Sequence, residues 1–210
     1  MSQPADSPSC RQARQEILQA AMQEFRAAGF QGASLNRILA HTGLTKGALY
    51  HYFPSKQALG YAVVDELIVR PLAAAAEALQ RSDDPIATLR AILRAQILDT
   101  SSEELALGCP FHRLTQEMFN QDEGFKARLQ GLHMRLHGEL CGALRRGQRD
   151  GLIRLDVDVE GVAGLFIATR NGLLGMARHC PDRALVERAT QQFLNQLAYL
   201  QAEKEHPCAS

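Results

Sequence analysis

The segment between Gly29 and Leu59 holds the densest set of side chains with an evident chemical use: Ser34, Arg37, Thr45, Lys46, Tyr50, His51 and Lys56. Ser34 is a natural N-cap for a short helix ending near His41, and Thr45 for another running from Lys46 to about Tyr52. Between them Thr42-Gly43-Leu44 reads as a tight turn in which Gly43 is free to take positive φ. With a longer helix before them, over about Arg11 to Ala28 and closed by Gly29, these pieces form a helix-turn-helix. Its core needs apolar inner faces, which Ile17, Phe25, Leu35, Ile38, Leu39, Leu44 and Leu49 supply. That leaves the outer face of the third helix, with Lys46, Gly47, Tyr50 and His51, free to enter a major groove. The hydroxyl and leading N–H groups at Thr45 suit a phosphate oxygen. Gly47 has no side chain, so the backbone there can approach a base edge closely, and Tyr50 and His51 can donate to bases or phosphates. Lys56 points a charge at the flanking phosphate backbone. Other readings stay open: Tyr50 and Tyr52 as packing residues, Arg37 and Lys56 as solvated surface charges.

The stretch GFQGASLNRILAHTGLTKGALYHYFPSKQAL, residues 29–59, closely resembles the DNA-binding signature of the TetR/AcrR family. In that signature a helix ending in Gly-Phe is followed by a glycine, a Ser or Thr and an Ile. Then comes G-[VL]-[ST]-x-G-x-[LIF]-Y-x-[HY]-F-x-[SN]-K-x-x-L, and every fixed position has its counterpart here. The resemblance implies a dimeric repressor of double-stranded operator DNA with ligand binding in its C-terminal half. It places the DNA contacts at Ser34, Arg37, Thr45, Lys46, Gly47, Tyr50, His51 and Lys56.

A second chemical possibility lies at Leu107-Gly108-Cys109-Pro110. Cys109 sits at an expected helix start, where free N–H groups favour a thiolate, and Arg113 one turn on adds to this. A Gly-Cys here is similar to a subgroup of the family that senses electrophiles or oxidants; the other reading is a small residue chosen for packing. Cys109 with His112 supplies only two metal ligands, too few for a metal site. Residues expected to line an effector pocket are Cys109, Phe111, Leu114, Thr115, Met118, Phe119, Phe125, Leu129, His133 and Arg170, with ordinary core as the alternative for Phe111, Met118 and Leu129. Arg170 and Asn171 interrupt an apolar helix, so Arg170 must find solvent, an anionic ligand, or an Asp or Glu of a second subunit.

The elements that position these residues are helices. Proline and Asp/Ser/Gly punctuation predicts helices over 56–80 with a kink or break at Pro71, then 85–100, 110–120, 122–150, 158–179 and a last one from Pro181-Asp182, with no convincing strand. The fold class is therefore all-α: a three-helix DNA-binding head on a helical ligand-binding and dimerisation bundle. The divisions are a disordered N-terminus at 1–10, the head at 11–55, the body at 56–202 and a flexible tail at 203–210. Gly161, Gly164, Gly172 and Gly175 thin the penultimate helix. Glycine costs helix stability, so a close neighbour is expected: the same helix of a second copy, making a homodimer through the last two helices, or a ligand cavity.

Composition sets outer limits. The 210 residues carry 23 basic and 23 acidic side chains, so the chain as a whole is not a basic nucleic-acid binder. Residues 1–60 hold six basic against three acidic groups, a weak bias that permits DNA binding by the head. Five widely spaced cysteines and no CxxC pair point to reduced thiols in a cytoplasmic protein with neither disulfide framework nor cofactor. The longest apolar stretch, Val162 to Ala177, is too short to span a bilayer. No phosphate loop, HExxH or GxSxG is present, so no catalytic residue is assigned. The alternatives to a DNA-binding regulator are a helical-bundle enzyme, or an interaction module, with Cys109 as the reactive residue.

Overall fold

The computed structural model describes residues 8–202, and among them the regular structure is helical apart from an isolated bridge between Ile153 and Gln201. In chain order the helices are α1 (Pro8–Gly32), α2 (Leu35–Thr42), α3 (Lys46–Tyr52) and α4 (Lys56–Val63), a π-helical segment (Val64–Val69), then α5 (Arg70–Gln80), α6 (Pro85–Ile97), α7 (Ser102–Ala106), α8 (Pro110–Met118), α9 (Glu123–Arg149), α10 (Val159–His179) and α11 (Arg183–Ala198). Residues 8–10 form the first turn of α1; the rest of the stretch expected to be disordered, 1–7, and the tail at 203–210 lie outside the described residues. The short α7 was not expected; Ser101 caps it, accepting from Glu104 N at 3.2 Å. The irregularity placed at Pro71 lies in the π-helical turns just before it. Proline has no N–H for the carbonyl four residues back, and a widened turn is one way to accommodate that loss. Among the described residues no helix is long and apolar enough to cross a membrane, and no group of three or more His, Cys, Asp or Glu could hold a metal.

The chain packs as two compact units, one comprising the chain up to Leu72 together with Cys109–Leu132, the other Ala73–Gly108 and everything from His133 on. Packing thus groups α8 and the first turns of α9 with the helix-turn-helix.

In the first unit, Ile17, Leu18, Ala21, Phe25, Ile38, Leu49, Phe53 and Leu59 form the core. Leu35, Leu39 and Leu44, also expected there, are only half-buried, because α2 and α3 are two turns long and their ends reach solvent. The core is completed by Phe30 and Phe125, whose rings lie 4.8 Å apart, with Phe25 and Tyr61 against them at 5.3 and 5.0 Å. Gly60 admits this cluster: a Cβ there would lie 2.6 Å from both Phe125 Cζ and Phe30 Cε2.

Charges hold the unit's frame. Helix α1 breaks at Gly29 (φ 77°, ψ 171°), as the sequence led us to expect, and resumes for one turn. Glu117 on α8 caps that turn: Phe30 N and Gln31 N donate to its two carboxylate oxygens at 2.8 and 2.7 Å. A Cβ on residue 29 would lie 2.5 Å from Glu117 Oε2, so the carboxylate occupies the space that glycine leaves. One helical turn earlier, Arg113 Nη1 donates to Arg26 O at 2.7 Å. Glu24, 8% exposed, accepts from Ser34 N at 2.9 Å and from Arg37 Nε at 2.7 Å. Ser34 therefore stands at the N-cap position of α2 without capping it through its side chain, contrary to expectation, and it is the main chain of Ser34 that is tied, to α1. Arg14 pairs with both oxygens of Glu66 at 2.8 and 2.5 Å, fixing α1 to the π-helical segment. Asp122 caps α9 through Phe125 N at 2.8 Å and accepts from Tyr61 at 2.6 Å and from Gln57.

In the second unit α10 and α11 pack through Phe166 and Phe193, ring centroids 6.0 Å apart. Arg183 closes the end of α6 by donating to Ile97 O and Leu98 O at 2.9 and 3.2 Å. The α9–α10 connector, residues 152–154, pairs with the end of the described chain through Arg154 N to Leu200 O and Ala202 N to Leu152 O.

Two predictions follow from the first unit's charges. The bond from Arg37 holds the Glu24 carboxyl below its ordinary pKa, and that from Arg14 does the same for Glu66. A lowered folded pKa means the unfolded chain binds protons the folded chain refuses. Stability is therefore full above the ordinary carboxylate pKa of about 4 and falls as pH drops through the lower folded values. Urea titrations across that range will show this acid loss in the wild type, and Glu24→Gln will be less stable at neutral pH with a shallower acid limb. Glu117→Ala leaves Phe30 N and Gln31 N without their acceptors and will cost about 1 kcal/mol, as lost helix caps do, read in the same titration.

Candidate nucleic-acid interface

The turn forms as its residues require. Gly43 takes the left-handed conformation (φ 67°) and its N–H returns to Leu39 O, ending α2. No atom lies within 4 Å of where a Cβ would stand, so it is the backbone angle, not crowding, that calls for glycine here. Thr45 then opens α3, its hydroxyl oxygen accepting from Ala48 N at 3.2 Å. Leu49 is wholly buried and anchors the helix, which turns Thr45, Lys46, Gly47, Tyr50 and His51 outward.

These five form one exposed face. Tyr50 is 42% exposed, and Lys46 Nζ lies 5.9 Å from the centre of its ring. His51 is exposed, with Tyr52 edge-on to it at 5.2 Å. Tyr52 is half-buried and hydrogen-bonded to Cys10, which favours its packing role. At Gly47 the nearest atom to an added Cβ is Thr45 Oγ1, 3.9 Å away. The fold therefore does not need glycine at 47, and the bare backbone is available to a partner.

The remaining expected contacts are tied inside the protein. The Arg37 side chain bonds Glu24, and its Nη2 also donates to Gly32 O at 2.7 Å. Lys56 Nζ donates to Gln31 O at 3.0 Å and lies 5.0 Å over the Phe30 ring, and burial pushes its pKa down. Both hold the junction of α1, α2 and α4, and Lys56 keeps two further N–H donors. Ser34 is half-buried beside them. Motif reading did not find the two carboxylates that organise this junction. Glu24 had a signal, since it falls on the same stripe of α1 as Ile17, Ala20 and Ala21, where a charge needs a partner. Glu117 had none, because its partners are main-chain groups 86 and 87 residues away.

The expected pocket residues are divided between the two units. Phe111, Leu114, Met118, Phe125 and Leu129 are core residues of the first unit, in which Thr115 and Phe119 are half-buried. Thr115 bonds back to Phe111 O at 2.8 Å. His133 and Arg170 belong to the second unit, and His133 is exposed. Arg170 meets neither an Asp nor a Glu among the described residues: its Nε donates to Gln96 Oε1 at 2.6 Å and its Nη1 to Asn171 Oδ1 at 3.2 Å. Cys109 stands at the N-cap of α8, half-buried, without a cap bond from its thiol.

Comparison with known proteins agrees with this geometry. Residues 17–63 match the family described as bacterial regulatory proteins, tetR family, and residues 85–193 match the tetracyclin repressor-like C-terminal domain. A probable HTH-type transcriptional regulator of Pseudomonas putida, ArpR, is 30% identical over 179 residues, 80% of this chain and 81% of that one. The transcriptional regulator AcuR of Cereibacter sphaeroides is 27% identical over 166 residues, covering 78% of this chain and 75% of its own. Among solved structures, a TetR-family regulator from Cytophaga hutchinsonii superposes with a TM-score of 0.80 at 23% identity, over 94% of this chain and 98% of that one. One from Agrobacterium tumefaciens gives 0.77 at 24%, over 89% and 97%. With the head matched to one family description, the body to the other and the fold shared throughout, this chain belongs to the TetR family of DNA-binding transcriptional regulators, which are not enzymes.

Proposed function

We propose that the protein is a cytoplasmic repressor that binds a palindromic operator as a homodimer and lets go when a small molecule engages its C-terminal domain. The observation that carries the DNA part is the outer face of α3, where Lys46, Tyr50 and His51 surround a glycine that the fold itself does not need. Lys46 supplies a phosphate contact, Tyr50 and His51 supply donors, and Gly47 lets the helix sit close to base edges. Arg37, Lys56 and Ser34 act on DNA chiefly by holding α1, α2 and α4 in register.

Dimerisation through α10 and α11 is supported by what they leave uncovered. Leu165 is 57% exposed and Leu185 43%. A Cβ on Gly164, Gly172 or Gly175 would meet nothing within 4 Å among the described residues, which leaves these positions open to a close neighbour from a second copy. Gly161 is different, because its Cβ would meet the Asp158 cap at 2.5 Å. Two heads on a twofold axis read half-sites about 34–36 Å apart, or a multiple of that.

A thiol response has one observation in its favour. Cys109 opens the helix whose Arg113 and Glu117 grip the end of α1. A bulky adduct at that N-cap displaces α8 and, through it, the head.

Selection from randomised duplexes followed by salt-dependent titration tests the DNA reading. A palindromic site is expected, with affinity falling steeply as salt rises. If no duplex is enriched by a folded dimer, the reading fails. On the selected site Gly47→Ala will weaken binding by more than about tenfold while thermal stability holds or rises, since alanine is the better helix former by about 1 kcal/mol. Lys46→Ala will reduce the slope of log affinity against log salt by about one. For the thiol response, N-ethylmaleimide will release DNA from the wild type and not from Cys109→Ser; release from both would end that part of the proposal.

A further inference from the structure

We propose that the cavity formed by α7, the end of α10 and the start of α11 binds a small carboxylate with a short apolar body. This deepens the reading that the C-terminal domain takes a small molecule, and depends on that reading only for its consequence on DNA. The cavity measures about 330 Å³, at the lower end of the range for small-molecule sites. Its lining combines two arginines, Arg178 and Arg183, with the apolar residues Leu105, Ala106, Ala177 and Val186, and includes no Asp or Glu.

The two arginines are unevenly satisfied. Arg183 bonds Glu187 through Nε at 2.7 Å and spends Nη2 on Ile97 O and Leu98 O. Its Nη1 is buried and has no hydrogen-bond partner among the described residues. The side chain of Arg178, a half-buried residue, makes no hydrogen bond or ion pair among the described residues. Gly108 (φ 74°) gives its side chain room, since a Cβ there would stand 3.3 Å from Arg178 Cδ. A basic residue in the last turn of α10 complements the helix dipole. That accounts for Arg178 as a type but not for the buried orphan donor on Arg183, a residue of the same cavity lining. Buried donors left unpaired are rare and call for a partner. A water molecule would satisfy Arg183 Nη1 and leave the Arg178 charge as it is. A carboxylate answers both, because its two oxygens match guanidinium N–H donors. The apolar lining selects an anion that carries a hydrocarbon body over an inorganic one.

The test uses the full-length protein, with benzoate as the probe and benzamide, similar in shape but uncharged, as its control at matched ionic strength. A ligand that binds only the folded state raises the thermal midpoint. We expect benzoate to raise it and benzamide not to. Arg178→Gln is expected to need at least about tenfold more benzoate for the same shift. Ala177→Leu, which narrows the cavity and keeps both guanidinium groups, is expected to weaken the response comparably. The proposal is overturned if benzoate and benzamide act alike, or if Arg178→Gln and Ala177→Leu respond as the wild type does. It is also overturned if the response is lost in Arg170→Gln and kept in Arg178→Gln. Binding to the selected duplex is read separately. Benzoate binding without duplex binding removes the regulator reading and leaves the cavity site standing, and specific duplex binding without a benzoate response does the reverse.

Discussion

A helix that stops and restarts leaves main-chain N–H groups with no carbonyl four residues back, and in the interior of a small domain those groups must be answered by something else. At Gly29 the answer is the Glu117 carboxylate, which takes both N–H groups of the restarted turn and fills the space a side chain at 29 would need. The rest of the head depends on this junction. The turn after Gly29 carries Phe30 into the aromatic cluster, presents Gln31 O to Lys56 and Gly32 O to Arg37, and leads into Ser34 at the start of α2. The direction in which α2 leaves α1, and with it the aim of α3, is set by a carboxylate on a helix that the DNA-binding motif does not include.

Cations divide into those that build the head and those left for a partner. Arg14, Arg37 and Lys56 are spent on Glu66, on Glu24 and on Gln31 O, while Lys46 faces outward over Tyr50. This division explains how a chain with no net charge presents a DNA-binding surface. Internal ion pairs neutralise the basic groups that shape the motif, so in the proposed reading a few exposed donors on one short helix are left to meet the polyanion. It also separates two effects of mutation. In that reading, changes at the paired groups act through stability and register, and changes at the free ones act through contact.

The C-terminal unit shows a different economy. Its penultimate helix is apolar and rich in glycine, yet at three of those glycines an added Cβ would meet no atom within 4 Å among the described residues. Arg170 meets only amides, and the pair at the α10–α11 corner leaves one donor buried without a partner among the described residues. Unmet surfaces and unmet donors of this kind are what a domain keeps when its function is to bind something else. Helix α9 and the α4–π–α5 run each pass from one unit into the other.

Local chemistry was legible in the sequence. The glycine turn at 43, the caps at Thr45, Ser55, Asp84, Asp158 and Asp182, and the helix starts at Pro85 and Pro110 were all readable, because each depends on residues within a few positions of one another. The outward set on α3 was readable for the same reason: helical periodicity assigns faces once the core is known. Glu24 was half-legible as a charge on an apolar stripe. Glu117, the bond between Asp122 and Tyr61 and the uneven satisfaction of Arg183 were not. Their partners are main-chain atoms or side chains dozens of residues away, and a hydrogen bond to a distant N–H leaves no spacing in the sequence to find. So the sequence by itself determined the helices of the head and the long helices of the body, though not the short α7 or the π-helical turns, and which face of α3 stays free. Tertiary packing alone decided which charges are spent holding that face in place, because only the folded chain brings each donor to its acceptor.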